Sequence, residues 1–163
     1  MIARIFQGFY LTSGGRVTRF TDAELGCRCG CLLLDMQEPC INALHQARTT
    51  FNHPMLPTSG VRCGSWNTAK GGAIDSAHLD GLAVDLQSSK DLYALYCVLT
   101  HPFRRVSMYS RSEGYFCHAD MRFDGRRIWD VVTCDGKFLF RDFLKRYMIT
   151  AVRDSINDVL EAT

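Results

Sequence analysis

Three side chains in the middle of the sequence are of types that could together hold a metal ion. His78 and Asp85 lie in residues 76–85, which read SAHLDGLAVD, and His118 lies in residues 116–120, which read FCHAD. Imidazole nitrogens and carboxylate oxygens are ligands that suit Zn²⁺. Two histidines and one aspartate leave one position of a tetrahedral zinc ion open, which is typical of a catalytic rather than a structural site.

Two predicted strands would position these ligands. Residues 82–86 read LAVDL, and an acid in such an apolar strand is costly unless it is paired or bound to metal. Residues 115–123 also have the composition of a strand. In it His118 and Asp120 are two apart, so they share one sheet face, and the residues that alternate with them face the other side.

The sequence resembles the zinc D-alanyl-D-alanine carboxypeptidase family, which shares its fold with the hedgehog signalling domain. Residues 76–85 meet the family pattern S-x-H-x-x-G-x-A-x-D, and His118 with Asp120 meets the H-x-D of the subgroup that includes murein endopeptidases. The resemblance covers about residues 20–129. Its further matches, in order, are Ser59, Gly60, Arg62, Asn67, Gly71, Gly72, Tyr109, Arg122 and Trp129.

The resemblance implies roles for residues around the metal. His78, Asp85 and His118 would be the zinc ligands, and Ser76 would contribute to substrate binding. Arg62 would bind a substrate carboxylate, which its planar guanidinium can do through two hydrogen bonds. A surface ion pair is the alternative role for Arg62.

The general base is left open. Several branches of the family carry an acid or a histidine where this sequence has Tyr115 and Phe116. Asp120 is the first candidate because it shares a face with the last zinc histidine, and Glu113 on a nearby turn is the second. Asp120 could instead orient a zinc histidine. Tyr109 could donate a hydrogen bond to the developing oxyanion.

Composition narrows the class of partner. The net charge of +2 is too small to indicate nucleic-acid binding, and no apolar run is long enough to span a membrane. Residues 1–10 lack the apolar segment of a secretory signal. The expectation is therefore a protein made in the cytoplasm of a host and acting at the cell wall after lysis or within a virion, which indicates a phage or prophage origin.

The eight cysteines include a cluster at Cys27, Cys29 and Cys31. With Cys40 or Cys63 this cluster could hold a second, structural zinc ion, although C-x-C-x-C is not the usual knuckle spacing. Buried thiols or a disulfide bridge are the alternatives.

We expect an α+β fold of the hedgehog/DD-peptidase type, with helices packed against an antiparallel sheet. Residues 1–163 would form a single zinc peptidase-like domain with its core at about 20–132. An N-terminal hairpin at 1–19 and a C-terminal helix at 137–163 would extend it.

Local patterns predict the elements of the core. A capping box at Thr21–Glu24 begins a short helix, and Pro39 begins a longer one that ends near Asn52. A strand is expected over 56–63, a glycine-rich loop over 64–75 and a helix from about Ser88 to Leu99. Further strands are expected at 104–109 and 126–132.

The function implied is a zinc metallopeptidase that cleaves stem peptides or cross-links of peptidoglycan, as an endolysin or a virion-associated wall hydrolase. Whether it is a D-Ala-D-Ala carboxypeptidase or a murein endopeptidase stays open. The alternative is a non-catalytic virion structural or interaction protein that retains the fold and contacts other virion proteins through the hairpin or the C-terminal helix.

Overall fold

A computed structural model describes residues 1–88, 91–111, 114–123 and 128–133 of the chain. The predicted C-terminal helix at 137–163 and Glu113 lie outside these residues. The elements, in chain order, are β1 (Ile5–Phe6), β2 (Phe9–Leu11), β3 (Val17–Thr21), α1 (Asp22–Leu25), α2 (Glu38–Phe51), β4 (Leu56–Ser59), α3 (Gly64–Ala69), β5 (Ala83–Gln87), α4 (Leu92–Leu99), β6 (Arg105–Arg111), β7 (Gly114–Asp120) and β8 (Ile128–Thr133).

Within the described part of the chain, the larger sheet has five strands in the order β4-β5-β7-β6-β8. Its neighbours pair antiparallel except for β6 and β8, which pair in parallel. The predicted α+β class and antiparallel sheet are therefore confirmed, with β8 as the one parallel neighbour. Among the described residues, no helix has the length and apolar character needed to cross a membrane.

The two faces of this sheet differ in character. Val84 and Leu86 of β5 and Cys117 and Ala119 of β7 are fully buried in the core that α2 and α4 cover. Their alternating neighbours lie on the other face, as period-two geometry requires. This face carries His118 and the other polar residues described below. The helices thus cover one face of the sheet, and the candidate site lies on the other.

The helices begin where local sequence directs them. The Thr21 hydroxyl accepts a hydrogen bond from the Glu24 backbone N–H, and the Glu24 carboxylate accepts one from Thr21 N–H, which confirms the predicted capping box. Pro39 lies in the first turn of α2, and Asn52 ends that helix in the left-handed region at φ 51°. Asp91 caps α4 by accepting from two backbone N–H groups.

The N-terminal segment is more folded than the predicted hairpin. Residues 4–11 do not form one strand, because Gln7 (φ 50°) and Gly8 (φ 79°) make a tight turn that separates β1 from β2. Positive φ at both central residues matches the twist of a two-residue hairpin. With β3 this gives a three-stranded sheet, and Tyr10 and Phe20 bury their rings in the common core.

Two predictions in the region before the metal motif are wrong. The strand expected over 56–63 ends at Ser59, because Gly60 passes so close to the Leu25 backbone that a Cβ would lie 2.0 Å from its carbonyl oxygen. The loop expected over 64–75 begins with the helix α3. The first difference depends on a contact with α1 that the local pattern does not contain.

Candidate metal centre

The strand register places two of the predicted ligands side by side. Asp85 of β5 lies directly opposite His118 of β7, with Ser59 opposite Asp85 on β4 and Ser107 opposite His118 on β6. Directly opposed residues in an antiparallel pair have their side chains on the same face. The four residues therefore form a polar row across the sheet.

His78 reaches the same point from the turns that precede β5. Its ring Nδ1 lies 2.7 Å from the carbonyl oxygen of Gly60, and its own carbonyl accepts a hydrogen bond from the Arg62 backbone N–H at 2.9 Å. Since a carbonyl can only accept, Nδ1 is a donor here, which leaves Nε2 as the ring nitrogen that could bind a metal ion. His78 is 2% exposed, so the orientation of its ring is fixed in a buried setting.

One oxygen of Asp85 is the centre of the group. Asp85 Oδ1 lies 3.2 Å from His78 Nε2 and 2.9 Å from His118 Nδ1. The other oxygen, Oδ2, accepts a hydrogen bond from Arg62 Nη2 at 2.6 Å. Burial by itself would raise the pKa of Asp85, but the contacts with His118 and His78 outweigh it and hold that pKa well below its ordinary value.

His118 lies between two carboxylates. Its Nδ1 faces Asp85, and its Nε2 lies 3.2 Å from Asp120 Oδ2. Burial alone would lower the pKa of His118, but hydrogen bonds to Asp120 and Asp85 raise it to about 9 in the metal-free protein. A cation at this point would therefore replace a proton that the two carboxylates hold on the ring.

The three side chains fit a zinc ion. Each offers one ligand atom, and the three atoms lie within 4.8 Å of one another. His78 contributes Nε2, Asp85 an oxygen and His118 Nδ1, while the second nitrogen of each ring is bound to Gly60 O or to Asp120. Zinc-bound histidines almost always have such an outer partner for the other ring N–H.

The three ligands lie beside an open cleft of about 520 Å³. Asn67 shapes its wall, since the side chain is buried, donates to Ala73 O at 2.8 Å and leaves no room for a Cβ on Gly72. The cleft is lined by Thr58, Ser59, Arg62, Trp66, Lys70, Gly71, Gly72, Ala73, Asp75, Ser76, Ala77, His78, Asp85, Gln87, Tyr109, Phe116, His118 and Arg122.

Other predicted site residues are placed in or beside this cleft. Ser76 accepts a weak hydrogen bond from the His78 backbone N–H at 3.4 Å. Tyr109 stacks on Phe116 with ring centres 5.0 Å apart and meets the His118 ring edge-on at 6.3 Å. Both residues line the cleft and stay candidates for the roles predicted for them.

Asp120 occupies a different position from the other predicted residues. It is 2% exposed, does not line the cleft, and its second oxygen accepts from the Arg122 backbone N–H at 2.9 Å. Its contact with His118 Nε2 fits a residue that orients this ring.

Asp75, which the sequence reasoning missed, is an exposed acid in the cleft wall. It immediately precedes the metal motif, and that position was its only sequence signal.

Comparison with known proteins places the chain in a family. No curated protein matches the chain. The model of the family described as Peptidase M15 matches residues 18–120, which is more than half of the chain and includes all three ligand positions and the strands that carry two of them. On this match, the chain belongs to the peptidase M15 family.

Proposed function

We propose that this metallopeptidase uses zinc to cleave stem peptides or cross-links of peptidoglycan, as the endolysin or virion-associated wall hydrolase of a phage or prophage. The observation that carries the proposal is the convergence of His78 Nε2, Asp85 Oδ1 and His118 Nδ1 beside the cleft. Three protein ligands leave a position for water or substrate, as in catalytic zinc sites.

Zinc bound by these ligands would lower the pKa of a water molecule and polarise the scissile carbonyl. The chain supplies orientation. Gly60 O accepts a hydrogen bond from His78 Nδ1, and Asp120 accepts one from His118 Nε2. Tyr109 lies next to His118 in the cleft wall, which supports the proposal that it donates to an oxygen that becomes negative during the reaction.

The charges of the cleft favour an anionic peptide. Among its described lining residues the cations are Arg62, Lys70 and Arg122, and the acids are Asp75 and Asp85, of which Asp85 is already shared by Arg62 and two histidines. Arg62 uses Nε on Ser59 Oγ at 2.8 Å and Nη2 on Asp85. Its Nη1 makes no hydrogen bond to a described residue, so it can bind a substrate carboxylate.

The test is digestion of purified peptidoglycan, with the products separated by mass, together with elemental analysis of the protein. We expect new muropeptides from the parent chain. His78→Ala and His118→Ala should each lose this activity and one zinc ion. His101→Ala, an exposed histidine outside the cleft, is the matched control and should keep both. Unchanged zinc and products in the two ligand variants would refute the assignment. The mass of the products identifies the bond that is cut.

The alternative, a non-catalytic interaction protein, has one observation in its favour. The described lining of the cleft contains no acid besides Asp75 and Asp85, and Asp85 is committed to the metal position. A general base must lie within one hydrogen bond, or one water, of the proton that it takes. A folded chain that carries zinc and releases no muropeptide from walls of several chemotypes would establish this alternative instead.

A further inference from the structure

Four cysteine sulfurs lie close together next to the segment 60–63, which also carries Arg62. Cys27, Cys29 and Cys31 lie in the loop after α1, and Cys63 lies just before α3. All four sulfurs lie within 4.8 Å of one another, with Cys27 to Cys29 at 3.4 Å and Cys29 to Cys63 at 3.5 Å. This group shares no residue with the His78–Asp85–His118 centre.

The convergence has the dimensions of a thiolate metal site. A tetrahedral zinc ion with Zn–S bonds of about 2.3 Å separates its four sulfurs by about 3.8 Å. A disulfide joins sulfurs two at a time, and would give no reason for all four to lie in mutual range. Four protein ligands fill the coordination sphere, which is the arrangement of a structural rather than a catalytic ion.

The surrounding backbone supports the cluster. The Cys63 backbone N–H donates to Cys27 Sγ at 3.3 Å, across 36 residues of sequence, and Cys27 N–H donates to Leu33 O at 2.8 Å. Hydrogen bonds of this kind to ligand atoms orient thiolates around a metal. Gly30, at φ 83° with open space around its Cβ position, lets the chain reverse between Cys29 and Cys31.

The loop is also held to the sheet from outside the cluster. Arg28 Nη2 donates to Pro57 O on β4 at 2.8 Å, and Val61 N–H donates to Leu25 O at 2.9 Å. The ligands are thus presented by two backbone segments that are already joined. Cys29 and Cys31 are exposed, which gives an ion a path from solvent.

We propose that Cys27, Cys29, Cys31 and Cys63 hold a structural zinc ion, separate from the catalytic one. The cysteines bind as thiolates, and their protons pass to solvent. The ion joins the loop after α1 to the segment 60–63. That segment supplies Gly60 O to His78 and the Arg62 side chain to Asp85, so the structural ion braces one wall of the cleft.

The experiment counts metal and thiols on the full chain, purified under reducing conditions, supplied with zinc and desalted. Elemental analysis should find about two zinc ions in the parent and about one in each of His78→Ala, Cys63→Ser and Cys31→Ser. Cys97→Ser changes a cysteine of α4 outside the cluster and should keep two.

Cobalt replacement identifies the ligands of each ion. In His78→Ala, bound Co²⁺ should show thiolate-to-metal charge-transfer absorption, and Cys63→Ser should lack it. This arm does not require any cysteine variant to fold, since His78→Ala retains all four thiols. Four thiols should become reactive to a thiol reagent only after a chelator removes the metal.

Three results would overturn the proposal. One is two zinc ions in Cys63→Ser, or a single zinc ion in the parent that is lost in His78→Ala and kept in Cys63→Ser. Another is iron in place of zinc in protein supplied with both metals, since four thiolates also suit iron. The third is a parent mass lowered by two hydrogens per bridge, which indicates disulfides. None of these readouts uses wall hydrolysis, so the proposed function can fail while this site stands, and the reverse.

Discussion

At the scale of single residues, the candidate metal centre depends on how the two oxygens of one carboxylate are shared among its partners. Asp85 Oδ1 faces both histidines, and Oδ2 is held by Arg62. Arg62 therefore has two candidate tasks, to hold Asp85 in place and to bind the substrate. The side chain is 14% exposed, which is too buried for the simple surface ion pair considered from sequence.

Arg62→Lys separates charge from geometry. We expect zinc to be retained and turnover of wall peptide to fall about tenfold or more, because an ammonium cannot serve Ser59, Asp85 and a substrate carboxylate in fixed directions. Arg28→Lys, an exposed arginine of the cysteine loop, is the control for loss of a guanidinium. An unchanged hydrolysis rate in Arg62→Lys would restrict Arg62 to a structural role.

Asp120→Asn tests which of its two predicted tasks Asp120 performs. Because its carboxylate accepts from His118 Nε2 and lies outside the cleft lining, we expect zinc affinity to fall tenfold or more, with partial recovery of activity in excess zinc. Competition with a chelator measures the affinity. Normal affinity with a rate roughly a hundredfold lower would instead identify Asp120 as the general base.

Asp75→Asn is the companion to that experiment. Asp75 lies in the cleft wall and makes no side-chain contact with His118. Its replacement should leave zinc affinity unchanged whatever its effect on rate. A loss of zinc in this variant would mean that metal affinity depends on the general charge of the cleft rather than on the Asp120–His118 contact.

At the scale of elements, the turn between His78 and β5 requires a glycine. Gly81 has φ 66°, and a Cβ there would lie 2.0 Å from the Asp35 carbonyl oxygen. Gly71 has nearly the same φ, 65°, with open space around the Cβ position. Alanine variants at the two glycines therefore separate the cost of a left-handed φ from the cost of close approach to Asp35.

Gly81→Ala should destabilise the protein more than Gly71→Ala. A left-handed residue costs about 1–2 kcal/mol when it gains a Cβ, and Gly81 adds a clash with backbone that cannot rotate away. We expect the free energy of unfolding in urea to drop at least twice as far for Gly81→Ala, with zinc bound less tightly because His78 shifts. Equal losses in the two variants would show that close approach to Asp35 is unimportant.

The elements show what sequence can and cannot predict. The capping box at Thr21 and the strand around Asp85 follow from local patterns, and both are confirmed. The end of β4 at Ser59 depends on Leu25, which is far away in the chain. Likewise, sequence left Cys40 and Cys63 as equal candidates to complete the cysteine cluster. Burial of Cys40 in the core and packing of Cys63 beside Cys27 decide between them.

The site itself divides in the same way. The types and spacing of His78, Asp85 and His118 predict a zinc site, and the family match supports a metallopeptidase. Which ring nitrogen would face a metal ion is decided by Gly60 O for His78 and by Asp120 for His118. Those contacts follow from strand register and chain crossing, and no spacing in the sequence contains them.

At the scale of the whole molecule, zinc should be part of the stability of the fold. A ligand that binds only the folded state adds about 2.7 kcal/mol when its concentration is a hundredfold above its dissociation constant. For a chain of this size that is a rise in melting temperature of about 5–10 °C for each site. We expect the metal-free parent to show two such increments as zinc is added.

Calorimetry of the variants assigns the increments. Cys63→Ser should keep only the increment of the catalytic site, and His78→Ala only that of the cysteine site. A melting temperature that does not respond to zinc in the metal-free parent would mean that neither group binds zinc in the folded state. A full double increment in Cys63→Ser would contradict the cysteine site alone.

Because side chains alternate along β5 and β7, the ligands come together in only one register of the two strands. If β7 slipped by one residue, His118 would turn to the helix-covered face and Ala119 would replace it beside Asp85. If it slipped by two, Asp85 would meet Phe116 or Asp120 instead. Only one alignment brings the ligands together. Uptake of catalytic zinc during refolding would therefore report the moment at which β5 and β7 have paired in the native register.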